Sequence, residues 1–508
     1  MGDPSLSEQF KLCGSPIDDK KFLPLDALER LVNKKTVKTE LGIKEGVIAN
    51  WTKCGKSAEL LNTVTKQAKR VFATLVLIDK ADAIYGLLEE GLTDEHLPLV
   101  RDQDYPHLSS RDRETIFPFA GFRHASLMNF IHTQWLFLAP VLNTTGQLIK
   151  VNRECALPFT ESDIIGNGAA GVVHWAKIHK AHQQRFEAEA VDLKVAVKQF
   201  LHKDDFDKEN AILQQIKSLD HPHIIRHLVS IDKGDKGYII FPWAAEGNLQ
   251  EFWEASEQKA SQKLVFWSLQ QMLGLTTAVH KLHEQFNCRH GDLKPGNILC
   301  VQKGEELVLK IADFGVSRIH HAQTTYRKGQ LTMSVLLTPS YQGPEVEFEG
   351  VDKNDPLPRS RKYDIWSLGC VFLEFTIWLL HGPEAIKGFT NARGNGVSST
   401  NPSSPLYTVT SRSPKLAQVH KLVSWTIGEL EHKDPRCEGE TALATLLSLI
   451  KKQMLQIKVD LRPKATEICT QLRMIIQNAE TRASYLLPPC DGEIVPLLDF
   501  KEFHLDAN

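Results

Sequence analysis

The chain has 508 residues, too many for one ordinary core and enough for roughly three domains. Lys and Arg number 60 against 62 Asp and Glu, so no global charge draws it to nucleic acid or an anionic membrane, and neither is an expected partner. The nine cysteines are odd in number and scattered, with no C-x-x-C pair. That indicates neither a disulfide framework nor a zinc site, and it fits a reducing intracellular setting, cytoplasmic with the nucleus also open.

Met1 to Phe10 is polar and lacks the apolar stretch of a signal peptide. The chain starts Met-Gly, but Leu6 stands where myristoylation needs Ser or Thr. From about 24 to 100 the pattern is helical, with Leu25, Leu28 and Leu31, then Leu60, Leu61, Val64 and Ala68, then Phe72, Leu75 and Leu77. Residues 101–122, with Pro106 and Pro118, read as a loop. Phe130 to Leu138 is a strand or a helix, which periodicity does not separate. The most apolar run, Leu127 to Leu142, is broken by Asn129, His132, Thr133 and Gln134 and reads as buried rather than membrane-spanning. His124 and His132 are expected to be structural. Strand-like sequence follows from about 158 to 241, then mainly helical sequence to about 475. Gly388 to Pro414 is rich in Gly, Ser, Asn and Pro and is expected to be a mobile surface loop; a tail carrying Pro488, Pro489 and Pro496 closes the chain.

Chemistry-bearing residues begin at Gly166-Asn167-Gly168-Ala169-Ala170-Gly171-Val172-Val173, after a strand expected over Phe159 to Ile165. In dinucleotide-binding folds such glycines open a helix. Here Val172 to Ile178 is β-branched and aromatic, so strand, glycine loop and strand make a flap whose backbone can approach phosphate oxygens closely. Val195-Ala196-Val197-Lys198 ends an apolar strand in a lysine, which beneath that flap becomes a phosphate ligand. Glu209, eleven residues on, precedes Ile212, Leu213 and Ile216 on a helix that has lost its first turn or two, and can orient Lys198.

Next come Arg289-His290-Gly291-Asp292-Leu293-Lys294-Pro295-Gly296-Asn297-Ile298-Leu299 and Lys310-Ile311-Ala312-Asp313-Phe314-Gly315. The first pairs an acid with a lysine and an amide; the second ends a strand in an acid suited to Mg²⁺. Thr338-Pro339-Ser340-Tyr341-Gln342-Gly343-Pro344-Glu345 follows, then Tyr363-Asp364-Ile365-Trp366-Ser367-Leu368-Gly369-Cys370 on a long apolar helix. Asp460-Leu461-Arg462-Pro463 supplies an arginine that can pair with Glu345.

In this order the seven motifs resemble the eukaryotic protein kinase family, over about residues 158–475. The resemblance implies an α+β, bilobal fold: a small β-rich N-lobe with one helix and a large helical C-lobe, preceded by a mainly helical region. The boundaries expected are 1–155 for the N-terminal region, 156–242 for the N-lobe, 243–478 for the C-lobe with an insertion at about 388–414, and 479–508 for the tail. By analogy with other multidomain kinases the N-terminal region is expected to be regulatory and to bind a partner, which the sequence does not identify.

The resemblance further implies ATP and Mg²⁺ as cofactors and a protein Ser or Thr hydroxyl as acceptor. Gly166, Asn167, Gly168 and Gly171 would cover the phosphates, and Lys198, paired with Glu209, would hold them. Asp292 would take the hydroxyl proton, Lys294 would neutralise the transferring group, and Asn297 and Asp313 would hold the metal. Val173, Ala196 and Leu299 fall around the adenine, Phe241 at the gatekeeper, and Pro242 and Ala244 in the hinge, where Ala244 supplies the N–H that Pro242 lacks. Lys294 and Thr338 are typical of Ser/Thr enzymes. Asn248 and Gly296 stand where acids accompany a preference for basic substrates, which argues against that preference.

Four departures stand out. Gly291 replaces the arginine that would clamp a phosphorylated activation loop, so activity is expected not to depend on a loop phosphate in the usual way, despite Thr324, Thr325, Tyr326, Thr332 and Ser334. Ala169-Ala170 replaces a polar–aromatic flap tip, and Gly343 replaces a common alanine, a small change. His227 stands where an apolar residue joins the stack through Phe314 and His290. The competing reading is a catalytically weak kinase fold serving as scaffold or nucleotide-binding switch; the intact set Lys198, Glu209, Asp292, Asn297 and Asp313 favours catalysis. Phosphorylation of a small molecule or lipid is disfavoured by Thr338 to Glu345 and Arg462.

Overall fold

Val195 and Val197 alternate with Ala196 and Lys198, and the computed structural model places this stretch, Leu193–Phe200, inside a six-stranded sheet. The structure describes residues 4–43, 56–101, 107–168, 171–184, 191–256, 260–315, 317–319, 339–348, 360–394, 404–412, 415–488, 498, 500 and 503. The chain divides into two units, Met1–Lys203 with His227–Pro242, and Asp204–Arg226 with Trp243–Asn508.

In the first unit the sheet runs, edge to edge, Gln147–Lys150, Val229–Lys233, Lys236–Pro242, Leu193–Phe200, Gly171–Ile178 and Phe159–Gly168. Every neighbouring pair is antiparallel except the first, which is parallel. The period of two sends Val195 and Val197 to one face, where they join Val229, Ile231, Tyr238 and Ile240 in a core without solvent exposure. Ile17, Leu142 and Leu157 complete that core from residues that precede the sheet's own hairpins.

Polar contacts fasten the same segments. Lys233 forms an ion pair with Asp18, the two side chains only 4% and 3% exposed, and Asp18 also accepts the Leu157 N–H at 3.0 Å. His182 accepts the Leu25 N–H on Nε2 at 3.2 Å and donates from Nδ1 to the Pro140 carbonyl at 3.0 Å, which fixes it as a neutral ring.

The N-terminal region has a second core of its own, built by helices that include Leu25–Leu31, Lys34–Glu40, Lys56–Gln67, Lys69–Leu77 and His124–Thr133. Lys69–Leu77 is buried on nearly every side, and Asp94 accepts its first N–H groups, those of Arg70 and Val71, at 3.0 Å. Phe130 to Leu138 proves helical, with a 3₁₀ turn at Gln134–Phe137; the fully buried Gln134 amide exchanges two hydrogen bonds of 2.8 Å with the Leu99 backbone. Strands Val100–Arg101, Leu108–Ser109 and Ile116–Phe117 form a small sheet where composition gave a loop, because two-residue strands are too short for an alternation signal.

The second unit is mainly helical. Its helices include Lys203–Gln215 from Asp204 onward, Gln262–Gln285, Tyr363–Gly394, Lys421–Lys433, Ala442–Leu449 and Ala465–Thr481. The long helix Tyr363–Gly394 is apolar enough to cross a membrane, but 89% of its most apolar window is buried inside the protein, with Trp366, Phe372 and Phe375 at its centre. Gly382, at φ +77°, and Pro383 break it.

The stretch 388–414 differs from the loose loop expected. The helix carries buried Phe389, Ala392 and Arg393 as far as Gly394, and strands Tyr407–Arg412 and Lys415–Val419 pair antiparallel; residues 395–403 lie outside the described residues. The Gly-, Ser- and Pro-rich composition is concentrated between the helix and the first strand, and the apolar flanks find partners. From the tail, Phe500 packs at 6.0 Å from both the Phe389 and Trp425 rings.

Candidate active site

Strand register groups the expected site residues of the first unit. Lys198 stands opposite Val173 and Ile239, and Ala196 opposite Trp175 and Phe241. Val173, Ala196, Lys198 and Phe241 therefore share the face opposite the Val195–Val197 core. The flap ladder pairs Gly166 with Val173, Asn167 with Val172 and Gly168 with Gly171, and its tip, Ala169-Ala170, lies outside the described residues. A Cβ on Gly171 would fall 2.1 Å from the Gln199 carbonyl oxygen, so glycine is what lets the two strands approach. Among the described residues, a Cβ on Gly166 would meet nothing within 4 Å, so none of them demands that glycine. Pro242 ends this unit opposite Val195.

The second unit holds its own group of expected site residues, and also Ala244 and Glu209, the latter fully buried in mid-helix. Asn297 Nδ2 donates to the Asp292 carbonyl at 2.8 Å and to its carboxylate at 2.9 Å, while Lys294 Nζ sits 2.9 Å from the same Oδ2. With its NH₂ committed, the Asn297 side chain keeps its oxygen as a cation ligand. Asp313 holds φ at +63°, and its carboxylate accepts the Gly315 N–H at 3.3 Å. The next residue, Phe314, is fully buried and packs edge-on to His290 with ring centroids 5.1 Å apart. His290 Nε2 lies 3.0 Å from the Ala312 carbonyl, and Ala312 N–H donates to the Asn297 carbonyl at 2.9 Å. Leu299 pairs with Lys310 in the ladder joining these two stretches.

Asp364, at the start of the long helix, anchors the loop. It accepts the His290 N–H at 2.9 Å, the Gly291 N–H at 2.8 Å and His283 Nε2 at 2.8 Å. Burial alone would raise the Asp364 pKa, but the His283 bond, the charges of His283 and His290 and the Gly291 N–H outweigh it and hold the carboxyl below its usual range. Gly291 takes φ +86° in this arrangement. Sequence reading quoted Asp364 without a role and overlooked His283. An acid opening an apolar helix is a usable signal for the first, and nothing local marks the second.

Arg462 meets Glu345 through two parallel bonds of 2.8 and 2.7 Å, the pairing anticipated, and is otherwise satisfied by the Gln456 and Lys362 carbonyls. A Cβ on Gly343 would lie 2.4 Å from the Glu345 carboxylate, the far end of a flexible side chain, so an alanine there asks only that this carboxylate shift. Thr338 and the expected loop hydroxyls Thr324, Thr325, Tyr326, Thr332 and Ser334 lie outside the described residues.

The family model described as a protein kinase domain matches residues 159–472. Among similar curated proteins, the serine/threonine-protein kinase pakG of Dictyostelium discoideum is 29% identical over 42% of this chain and 15% of its own length. The ovarian-specific serine/threonine-protein kinase Lok of Drosophila melanogaster is 28% identical over 41% of this chain and 40% of its own. The serine/threonine-protein kinase chk-2 of Caenorhabditis elegans is 31% identical over 32% of each chain. This chain thus spans well under half the length of each of these relatives.

Proposed function

The chain belongs to the protein kinase family, and on that premise we propose that it is an active protein serine/threonine kinase that works with Mg-ATP inside the cell. One observation carries the reading: the Asp292 carboxylate is held between Asn297 and Lys294 on a loop whose backbone is fastened to Asp364. A carboxylate fixed in this way is suited to orient a substrate hydroxyl and accept its proton as the oxygen attacks phosphorus.

The residues suit the cofactor. Asn297 and Asp313 offer hard oxygen donors to a divalent cation that retains waters and phosphates as its other ligands. When bound, Mg-ATP supplies the phosphoryl group and part of the charge neutralisation. Lys198 on the open face of the sheet would hold the non-transferred phosphates, Glu209 would orient it, and Lys294 would offset charge on the group in transfer. The glycines of the flap allow main-chain N–H groups close to phosphate oxygens. Val173, Ala196, Leu299 and Phe241 would enclose the base. A reducing compartment agrees with the seven described cysteines, all free thiols.

The test is transfer of labelled phosphate from Mg-ATP to a generic protein substrate, with wild type beside Asp292→Asn and Lys198→Met. The expected result is transfer by wild type and a loss of at least about a hundredfold in either variant. The same background in all three would leave the protein a scaffold or nucleotide-binding switch.

A further inference from the structure

His227, polar where the family resemblance expects an apolar residue, finds a partner in the N-terminal region. It is 6% exposed, and its Nε2 donates to the Gly146 carbonyl at 3.1 Å. The Gly146 N–H in turn donates to the Leu228 carbonyl at 2.7 Å, so one glycine is tied to two consecutive residues. Gly146 holds φ at +63°, and a Cβ there would lie 3.3 Å from both Cε1 and Nε2 of His227. Glycine suits both the backbone and the close approach to the ring. For packing alone an apolar side chain would serve, because a buried imidazole costs stability unless it is hydrogen-bonded.

What this contact holds is the start of a strand. Gly146 immediately precedes Gln147–Lys150, whose residues pair in parallel with Val229, Ser230, Ile231 and Asp232. Four mostly exposed residues in a parallel ladder specify their register weakly. A slip of one residue would turn Ile149 away from the sheet core it packs against. The row through Leu148 continues across the sheet as Ser230, Ile239, Lys198 and Val173. At the far end of Val229–Lys233, the Asp18–Lys233 ion pair comes from the N-terminal region too. That region therefore grips this strand at both ends, once just before Val229 and once at Lys233.

We propose that His227 is a positioning residue for the nucleotide: by holding Gly146 it sets the register of Gln147–Lys150, and through that strand the N-terminal region steadies the row carrying Lys198. This role rests on the kinase reading of Lys198. It makes the N-terminal region, expected from analogy to be regulatory, a cis-acting element whose target is the chain's own sheet. The effect of His227 passes through one carbonyl and a backbone ladder rather than through contact with phosphate.

The full-length chain permits a direct test. His227→Leu keeps the bulk and drops the donor, while His227→Gln returns an amide N–H. His227→Leu is expected to speed amide hydrogen exchange at 147–151 and 229–232 by about fivefold to tenfold, the net worth of one buried hydrogen bond. Exchange at 196–199 should quicken as well, and exchange at 71–76, in the separate N-terminal core, should not change, which rules out general misfolding. Mg-ATP affinity should fall about fivefold and the KM for ATP rise with it, while the KM for a protein substrate stays within about twofold. His227→Gln should recover most of each loss, and Gly146→Ala should reproduce the leucine pattern from the other side of the contact. Unaltered exchange at 147–151 in His227→Leu, a glutamine variant no better than leucine, or faster exchange with unchanged ATP affinity would each overturn the proposal. A wild type that binds no Mg-ATP defeats the kinase reading by itself. Exchange at 196–199 then decides the coupling: faster in His227→Leu, the row still answers to Gly146; unaltered, the coupling is refuted as well.

Discussion

Asp364 Oδ1 accepts the Gly291 N–H at 2.8 Å while Gly291 holds φ at +86°, so the residue before Asp292 is fixed through its main chain in a conformation that suits glycine. A side chain there would strain the backbone by about 1–2 kcal/mol. Gly291→Ala should lower the unfolding free energy by that amount in chemical denaturation.

The same residue bears on regulation. With no arginine at 291, no side chain at that position can grip a phosphate, and the loop backbone is anchored on Asp364, which also accepts from His283. Phosphatase-treated protein is expected to retain phosphotransfer. Loss of activity on treatment, matched by one alanine replacement among Thr324, Thr325, Tyr326, Thr332 and Ser334, would refute this.

At the flap, Gly171→Ala would set a methyl 2.1 Å from the Gln199 carbonyl oxygen, and backbone cannot yield there without parting the strands that carry Val173 and Lys198. ATP affinity should fall about tenfold or more in a nucleotide-binding titration, with the thermal midpoint reduced by a few degrees.

Lys233→Met would leave Asp18 buried without its counter-ion, at a cost of about 3–5 kcal/mol. Adding Asp18→Asn removes the charge while keeping an oxygen for the Leu157 N–H, and should restore most of the stability. Denaturant titrations of the single and double variants distinguish the two outcomes.

His182 gives a pH dependence of definite sign. Burial depresses its pKa from 6.5 to about 4, only partly opposed by the Pro140 carbonyl. The unfolded chain therefore takes up the proton first as pH falls. The contribution to stability is full above about 6.5 and is lost progressively down to about 4, on the order of 3 kcal/mol in all. Between pH 7 and 5, wild type should lose about 2 kcal/mol more than His182→Gln.

The kinase half of the molecule was legible because its chemistry sits on local patterns. Glycines between two β-branched runs, a lysine closing an apolar strand and an acid–lysine–amide loop each announce themselves within about ten residues. The Glu345–Arg462 pair, separated by 117 residues, was readable only because both ends lie in recognised motifs. Contacts without such markers were not. Gln147–Lys150 is four residues long and mostly exposed, so nothing in it announces a parallel partner at Val229–Asp232. Asp18 and Lys233 look like any solvated acid and base. Arg393 lies next to a Gly- and Ser-rich run whose composition masks the Phe389–Arg393 helical spacing beside it.

The parallel edge strand has a practical consequence. A fragment cut to the family boundary at residue 159 would strip Gln147–Lys150 from the sheet, bare the hydrogen-bonding edge of Val229–Lys233, and take Ile17, Leu142 and Leu157 from its core. An apolar strand with an unpaired edge is a template for association between copies. The recombinant catalytic fragment that remains monomeric will be one that starts upstream of the motifs, where the N-terminal residues serve as part of the sheet.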